Sequence, residues 1–172
     1  MPGPDDNHWS SPVEIARDLL GTARRLRDFA RGKVKGELPL DFQERIMLAV
    51  TSVNRCRYCT FVHTRAALAA GISPEDAAAL LEGSVDAAPE DEATALLYAQ
   101  HWAETRGEPD PACRERLVQT YGEAKAEAIE AAIRMIMVGN YTGNTVDHAL
   151  DRLTGGFLGR WRHAGGAGID NG

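Results

Sequence analysis

Cysteine is scarce in this chain of 172 residues, with only Cys56, Cys59 and Cys113. So small and odd a number excludes the disulfide framework of a secreted miniprotein. Aromatic residues are few, at 6%, and there is no basic excess, since the formal net charge is −6. Phosphate binding needs a basic face, so nucleic acid is not an expected partner. Long apolar runs are also missing, and none approaches the ~18 residues that a bilayer span requires. The start, Met1-Pro2-Gly3-Pro4-Asp5-Asp6, is acidic and carries prolines. It lacks the apolar centre of a secretory leader. These absences point to a soluble protein of a reducing, cytoplasmic compartment with no membrane partner. There a close cysteine pair serves catalysis or metal binding more often than structure. The remainder is ordinary globular composition, 44% apolar and 26% charged. The length suits one domain with a single sizeable core.

Period-2 strand alternation is absent, and Ala, Leu, Arg and Glu abound, so the expected fold class is all-α, with seven or eight helices. Residues 1–10 read as a disordered arm, 11–163 as a single helical domain, and 164–172 as a flexible glycine-rich tail. Ser10 or Ser11 caps a first helix, with Pro12 at its first position, running to about Ala30. Leu40 to Val53 is apolar almost all round and should be buried. Asn54 is read as the break and cap, followed by a helix from Arg55 to Ala70 closed by Gly71. Further helices are expected from Ser73 to Gly83, Pro89 to Arg106, Asp110 to Tyr121, and Glu123 to about Val138, with helical character resuming to Leu153. A faint repeat links two segments: Glu44 stands ten residues before Asn54, and Glu130 ten before Asn140. Asn140 is read as turn-like, matching Asn54.

The chemistry concentrates in Asn54-Arg55-Cys56-Arg57-Tyr58-Cys59-Thr60-Phe61-Val62-His63. At about 100° per helical residue, Cys56, Cys59 and His63 share one face. Helix residues three apart have Cα atoms roughly 5–5.5 Å apart, within disulfide reach. The start of a helix favours thiolate over thiol, and His63 can move a proton near neutral pH. If the helices flanking Asn54 fold back as a hairpin, Glu44 and His63 each lie about 14 Å along their helices and stand side by side. Glu44 is then a partly buried carboxylate able to relay protons. Zinc is the competing use of a Cys-x2-Cys pair, with His63 and Glu44 as further ligands. A structural zinc site needs a second ligand pair from elsewhere, and the other candidates, Cys113, His101 and His148, are scattered. No metal or other cofactor is therefore expected. Cys113 reads as an inert thiol, and Asn140 and Asn144 as hydrogen-bonding residues at a helix contact.

The pattern Glu44-x11-Cys56-x2-Cys59-x3-His63 resembles the active-site signature of AhpD-like alkylhydroperoxidases, in the carboxymuconolactone decarboxylase superfamily. The resemblance covers roughly residues 38 to 80 and, more loosely, 90 to 160, where Gly139 to His148 is similar to a late family helix. It implies an all-helical fold assembled as a trimer or hexamer, and hydroperoxide reduction without metal or haem. It implies that peroxide oxidises Cys59, that Cys56 resolves the sulfenic acid to a disulfide, and that Glu44 and His63 shuttle protons. A thioredoxin-like or lipoyl-type protein would be the reductant. In Cys-x2-Cys oxidoreductases generally the first cysteine attacks, so the opposite assignment stays open. Tyr58 stands where the family carries a second relay histidine. The alternatives are a lactone decarboxylase of the same superfamily, which does not need the cysteines, and a non-catalytic redox sensor.

Overall fold

The computed structural model describes residues 8, 9, 11–17, 20 and 38–154. Of the first helix, expected from Pro12 to about Ala30, residues 18, 19 and 21–30 lie outside that set. The fold is all-α, with no strand among the described residues. Among the described residues from 38 onward six α-helices follow one another: α1 Leu40–Asn54, α2 Arg57–Ala69, α3 Pro74–Leu81, α4 Ala93–Glu104, α5 Pro111–Tyr121 and α6 Glu123–Leu153. A 3-10 turn, Glu90–Glu92, leads into α4. Ahead of these, residues 12–17 are helical. Ser11 begins that piece as a capping box: its hydroxyl accepts from the Glu14 N–H, and the Glu14 carboxylate accepts from the Ser11 N–H.

Helix α1 is the centre of the bundle. Ile46, Leu48, Ala49 and Val50 are fully buried on it, so no face of its middle turns is left to water. That fits its near-continuous apolar sequence. It packs against α2, α3, α4 and α6. From α4 come Leu96, Tyr98, Ala99 and Trp102, and from α6 Ile129, Ile133 and Ile136. Local chemistry sets the shorter elements. Ser73 caps α3 through the Asp76 N–H, with Pro74 at its first position. Asp110 caps α5 through the Ala112 N–H, again followed by proline.

Two boundaries differ from the sequence reading. Asn54 is not a cap but the last residue of α1, and it is buried. Arg55 takes the left-handed conformation (φ 53°) that ends the helix, and its N–H returns to the Thr51 carbonyl. The cap of the next helix is Cys56. Secondly, Asn140 is not a turn, because α6 runs unbroken from Glu123 to Leu153 with Asn140 wholly buried inside it. Gly139, Asn140, Gly143 and Asn144 are weak helix formers. Tertiary contacts along α1 outweigh that weakness.

The arm read as unstructured makes contacts at two residues. Trp9 packs edge-on against Tyr141, and its N–H donates to Thr145 Oγ1 at 3.1 Å. The His8 ring stacks on His148 at 4.4 Å. Residues 1–7 and 10, and the tail from 155 onward, lie outside the described set.

Candidate active site

The turn between α1 and α2 brings the cysteines together. With Arg55 in the left-handed region the chain reverses, and α2 folds back along α1. Cys56 and Cys59 are joined as a disulfide, with Cα atoms 5.3 Å apart. Cys56 Sγ also caps α2, accepting the Cys59 N–H at 3.2 Å. The cap therefore places a sulfur at the positive end of a helix, where negative charge is stabilised. The two residues differ slightly in exposure: Cys56 is wholly enclosed, whereas Cys59 retains 8% of its surface. Behind them the Thr60 hydroxyl donates to the Cys56 carbonyl at 3.0 Å.

Glu44 and His63 meet across the hairpin. His63 Nδ1 lies 2.8 Å from Glu44 Oε2, and the two side chains are 21% and 19% exposed. Whenever the carboxylate is ionised it can only accept; Nδ1 then donates this bond, and Nε2 is left for a second partner. His63 is one turn beyond Cys59 on α2. The four residues singled out from sequence thus occupy one pair of adjacent helices. Tyr58 is half exposed beside them. The other candidates fall elsewhere. Cys113 is a free, half-buried thiol on α5. His101 Nε2 accepts the Asp110 N–H at 3.1 Å near the α4–α5 connection. His148 lies under His8. No group of three or more His, Cys, Asp or Glu able to hold a metal exists among the described residues. An open cleft of about 410 Å³ adjoins the loop, lined by Thr51, Ser52, Arg55, Thr60, Leu81 and Glu82. None of the four candidate residues lines it.

Helix α6 supplies neighbours that sequence reasoning placed only in part. Asn144 Nδ2 donates to the Asn54 carbonyl at 2.9 Å, satisfying an orphan acceptor at the end of α1. The Thr51 hydroxyl donates to Asn140 Oδ1 at 3.3 Å, and Asn54 Nδ2 to the sulfur of Met137 at 3.1 Å. The two asparagines expected at a helix contact do lie at one, between α1 and α6. Gly143 was missed. Its only sequence signal is a glycine inside a helical pattern, which marks a close approach.

The faint repeat does not correspond to a second helix pair, because α6 runs unbroken through Asn140. Glu130 is buried on α6, accepting from the Tyr98 hydroxyl and from Arg114 Nε, both at 3.0 Å. Burial and the Glu130 charge hold the Tyr98 hydroxyl well above the ordinary tyrosine range. Near the other end of α1, Arg45 joins Asp41 and Glu92. Burial pushes Glu92 above the usual carboxylate range despite Arg45. At Asp41 burial pushes the same way, but the Arg45 and backbone hydrogen bonds prevail and lower it.

Residues 21–104 match the model of the carboxymuconolactone decarboxylase family. The match spans a little under half of the chain. It contains Glu44, Cys56, Cys59 and His63, and it stops short of α6. No curated protein and no solved structure matches the chain. Among the described residues no helix is long and apolar enough to cross a membrane.

Proposed function

We propose that this protein is a thiol-dependent peroxidase of the alkylhydroperoxidase kind, cycling Cys56 and Cys59 between dithiol and disulfide. The observation that carries the reading is the bonded pair on the same helix hairpin as the Glu44–His63 contact. Cys59 is the better candidate for the peroxide because it alone of the two keeps access to solvent. Its thiolate attacks the outer oxygen of a hydroperoxide. The O–O bond breaks, a proton from the His63–Glu44 pair completes the alcohol, and Cys59 becomes a sulfenic acid. The Cys56 thiolate then attacks the Cys59 sulfur, the S–S bond forms, and the hydroxyl takes up the proton that Cys56 gave up and leaves as water. A thioredoxin-like or lipoyl-type dithiol protein returns two electrons and two protons and becomes a disulfide itself. It attacks the accessible Cys59 sulfur, and Cys56 leaves. The Cys59 N–H bond to Cys56 Sγ favours that departure, since a stabilised thiolate is the better leaving group. Tyr58, Phe61 and Val62 expose apolar surface on the same helix, which supports docking of a protein reductant or of a second copy.

The family description favours a second reading, an enzyme that decarboxylates a lactone without using the cysteines. One experiment separates the two. Hydroperoxide consumption is followed with several dithiol donors for the parent and for Cys59→Ser and Cys56→Ser. A peroxidase turns over repeatedly, and both variants lose turnover. Single-turnover oxidation by the parent would instead identify a redox sensor. Lactone decarboxylation surviving in both variants would favour the family's named activity.

A further inference from the structure

Helix α6 carries a glycine where it passes the disulfide. A Cβ built on Gly143 would lie 2.7 Å from Cys56 Sγ, 3.6 Å from Tyr58 Cδ2 and 3.9 Å from Cys59 Sγ. Non-bonded heavy atoms rest at about 3.5–4 Å, so the first of these contacts is not accessible to any side chain. Backbone conformation does not demand the glycine, because Gly143 lies mid-helix and is not among the positive-φ glycines. A mid-helix glycine weakens its helix relative to alanine. What requires it is the sulfur.

Neither side of this contact can easily retreat. Cys56 is fully buried, bonded to Cys59 and engaged as the cap of α2. Helix α6 is tied to the same loop by Asn144 Nδ2 on the Asn54 carbonyl and by Asn140 on Thr51. Asp147, one turn further on, faces Arg57 at 3.7 Å. The freedom that exists belongs to the reduced state. Breaking the S–S bond removes the covalent restraint that fixes the Cys56 sulfur against α6; the disulfide keeps it.

We propose that Gly143 is a positioning residue that sets the redox poise of the Cys56–Cys59 couple, by reserving the space the Cys56 sulfur must fill when oxidised. The inference rests on the pair being redox-active, as proposed above, but not on hydroperoxide being its oxidant. A side chain at position 143 penalises the disulfide more than the dithiol. The couple thereby becomes more oxidising, and the disulfide is more readily reduced.

The test uses the full chain and glutathione as probe. Two glutathione thiols give two electrons and two protons to the disulfide, leaving two cysteine thiols and glutathione disulfide. Parent and Gly143→Ala are equilibrated across glutathione redox buffers, trapped with an alkylating agent, and scored by mass spectrometry. Overpacking of this kind should move the half-oxidation point about tenfold toward more oxidising buffer, about 1.4 kcal/mol. A shift of less than ~2-fold, with the parent interconverting normally, overturns the inference. A merely structural role would weaken oxidised and reduced forms alike and leave the equilibrium unmoved. Should oxidised Gly143→Ala fail to fold, the substitution is repeated in a Cys56→Ala background, where the sulfur is gone. There it should destabilise far less than in the oxidised parent, and an equal loss would overturn the proposal. If the parent pair does not interconvert at all, the redox reading itself fails, which is a separate and recognisable result.

Discussion

Glutamine at position 44 would keep the side chain's shape and remove its charge. Glu44 and His63 are each about a fifth exposed. Solvent therefore screens the pair, and loss of the charged hydrogen bond should cost only about 0.5–1.5 kcal/mol of stability. Catalysis should suffer far more. Glu44 holds Nδ1 and so fixes which imidazole nitrogen is free to exchange a proton. Positioned general acid–base groups typically contribute about 10²–10⁴-fold, so Glu44→Gln should lower peroxide turnover about 100-fold. Urea unfolding gives the first quantity, and hydroperoxide consumption with saturating dithiol gives the second. A relay role is marked by the disproportion between them. Turnover within ~3-fold of the parent would refute the relay, as would an activity loss fully accounted for by a stability loss above ~3 kcal/mol.

Other outcomes follow from the same geometry. Alkylation of the folded, oxidised protein should label Cys113 alone, and reduction should add Cys56 and Cys59, as mass spectrometry would show. Cys113→Ser should leave peroxide turnover unchanged. Leu96 is wholly buried, so Leu96→Ala should cost about 2–5 kcal/mol in denaturant unfolding. Tyr98 has its hydroxyl held above the ordinary range by burial and by Glu130. The folded state therefore keeps a proton that the unfolded chain releases. This contribution is intact below about pH 10 and is lost as pH rises beyond it. Tyr98→Phe should flatten that alkaline decline in thermal melts, while costing about 1–3 kcal/mol at neutral pH through the bond lost to Glu130.

Much of the architecture was legible because its signals are local. Ser73-Pro74 and Asp110-Pro111 start helices by capping chemistry that needs no distant partner. The continuous apolar run of α1 announced a helix enclosed on every side. The Glu44–His63 contact could be expected because equal arm lengths on a helix hairpin place the two residues at one level. The errors came where the local signal was weak and long-range contacts decided. Asn140 looks like a break, yet it sits inside α6 because burial against α1 and a bond from Thr51 hold it there. Asn54 looks like a cap, but the cap is Cys56, whose sulfur takes the role usually given to oxygen.

The order of residues alone was sufficient to specify helices throughout and a cysteine pair at disulfide spacing with acid–base side chains nearby, since periodicity and helix geometry fix these within a few turns. That the Cys56 sulfur lies directly against α6 depended on a helix passing more than eighty residues downstream. That contact is a matter of packing between distant segments, and no local pattern encodes it.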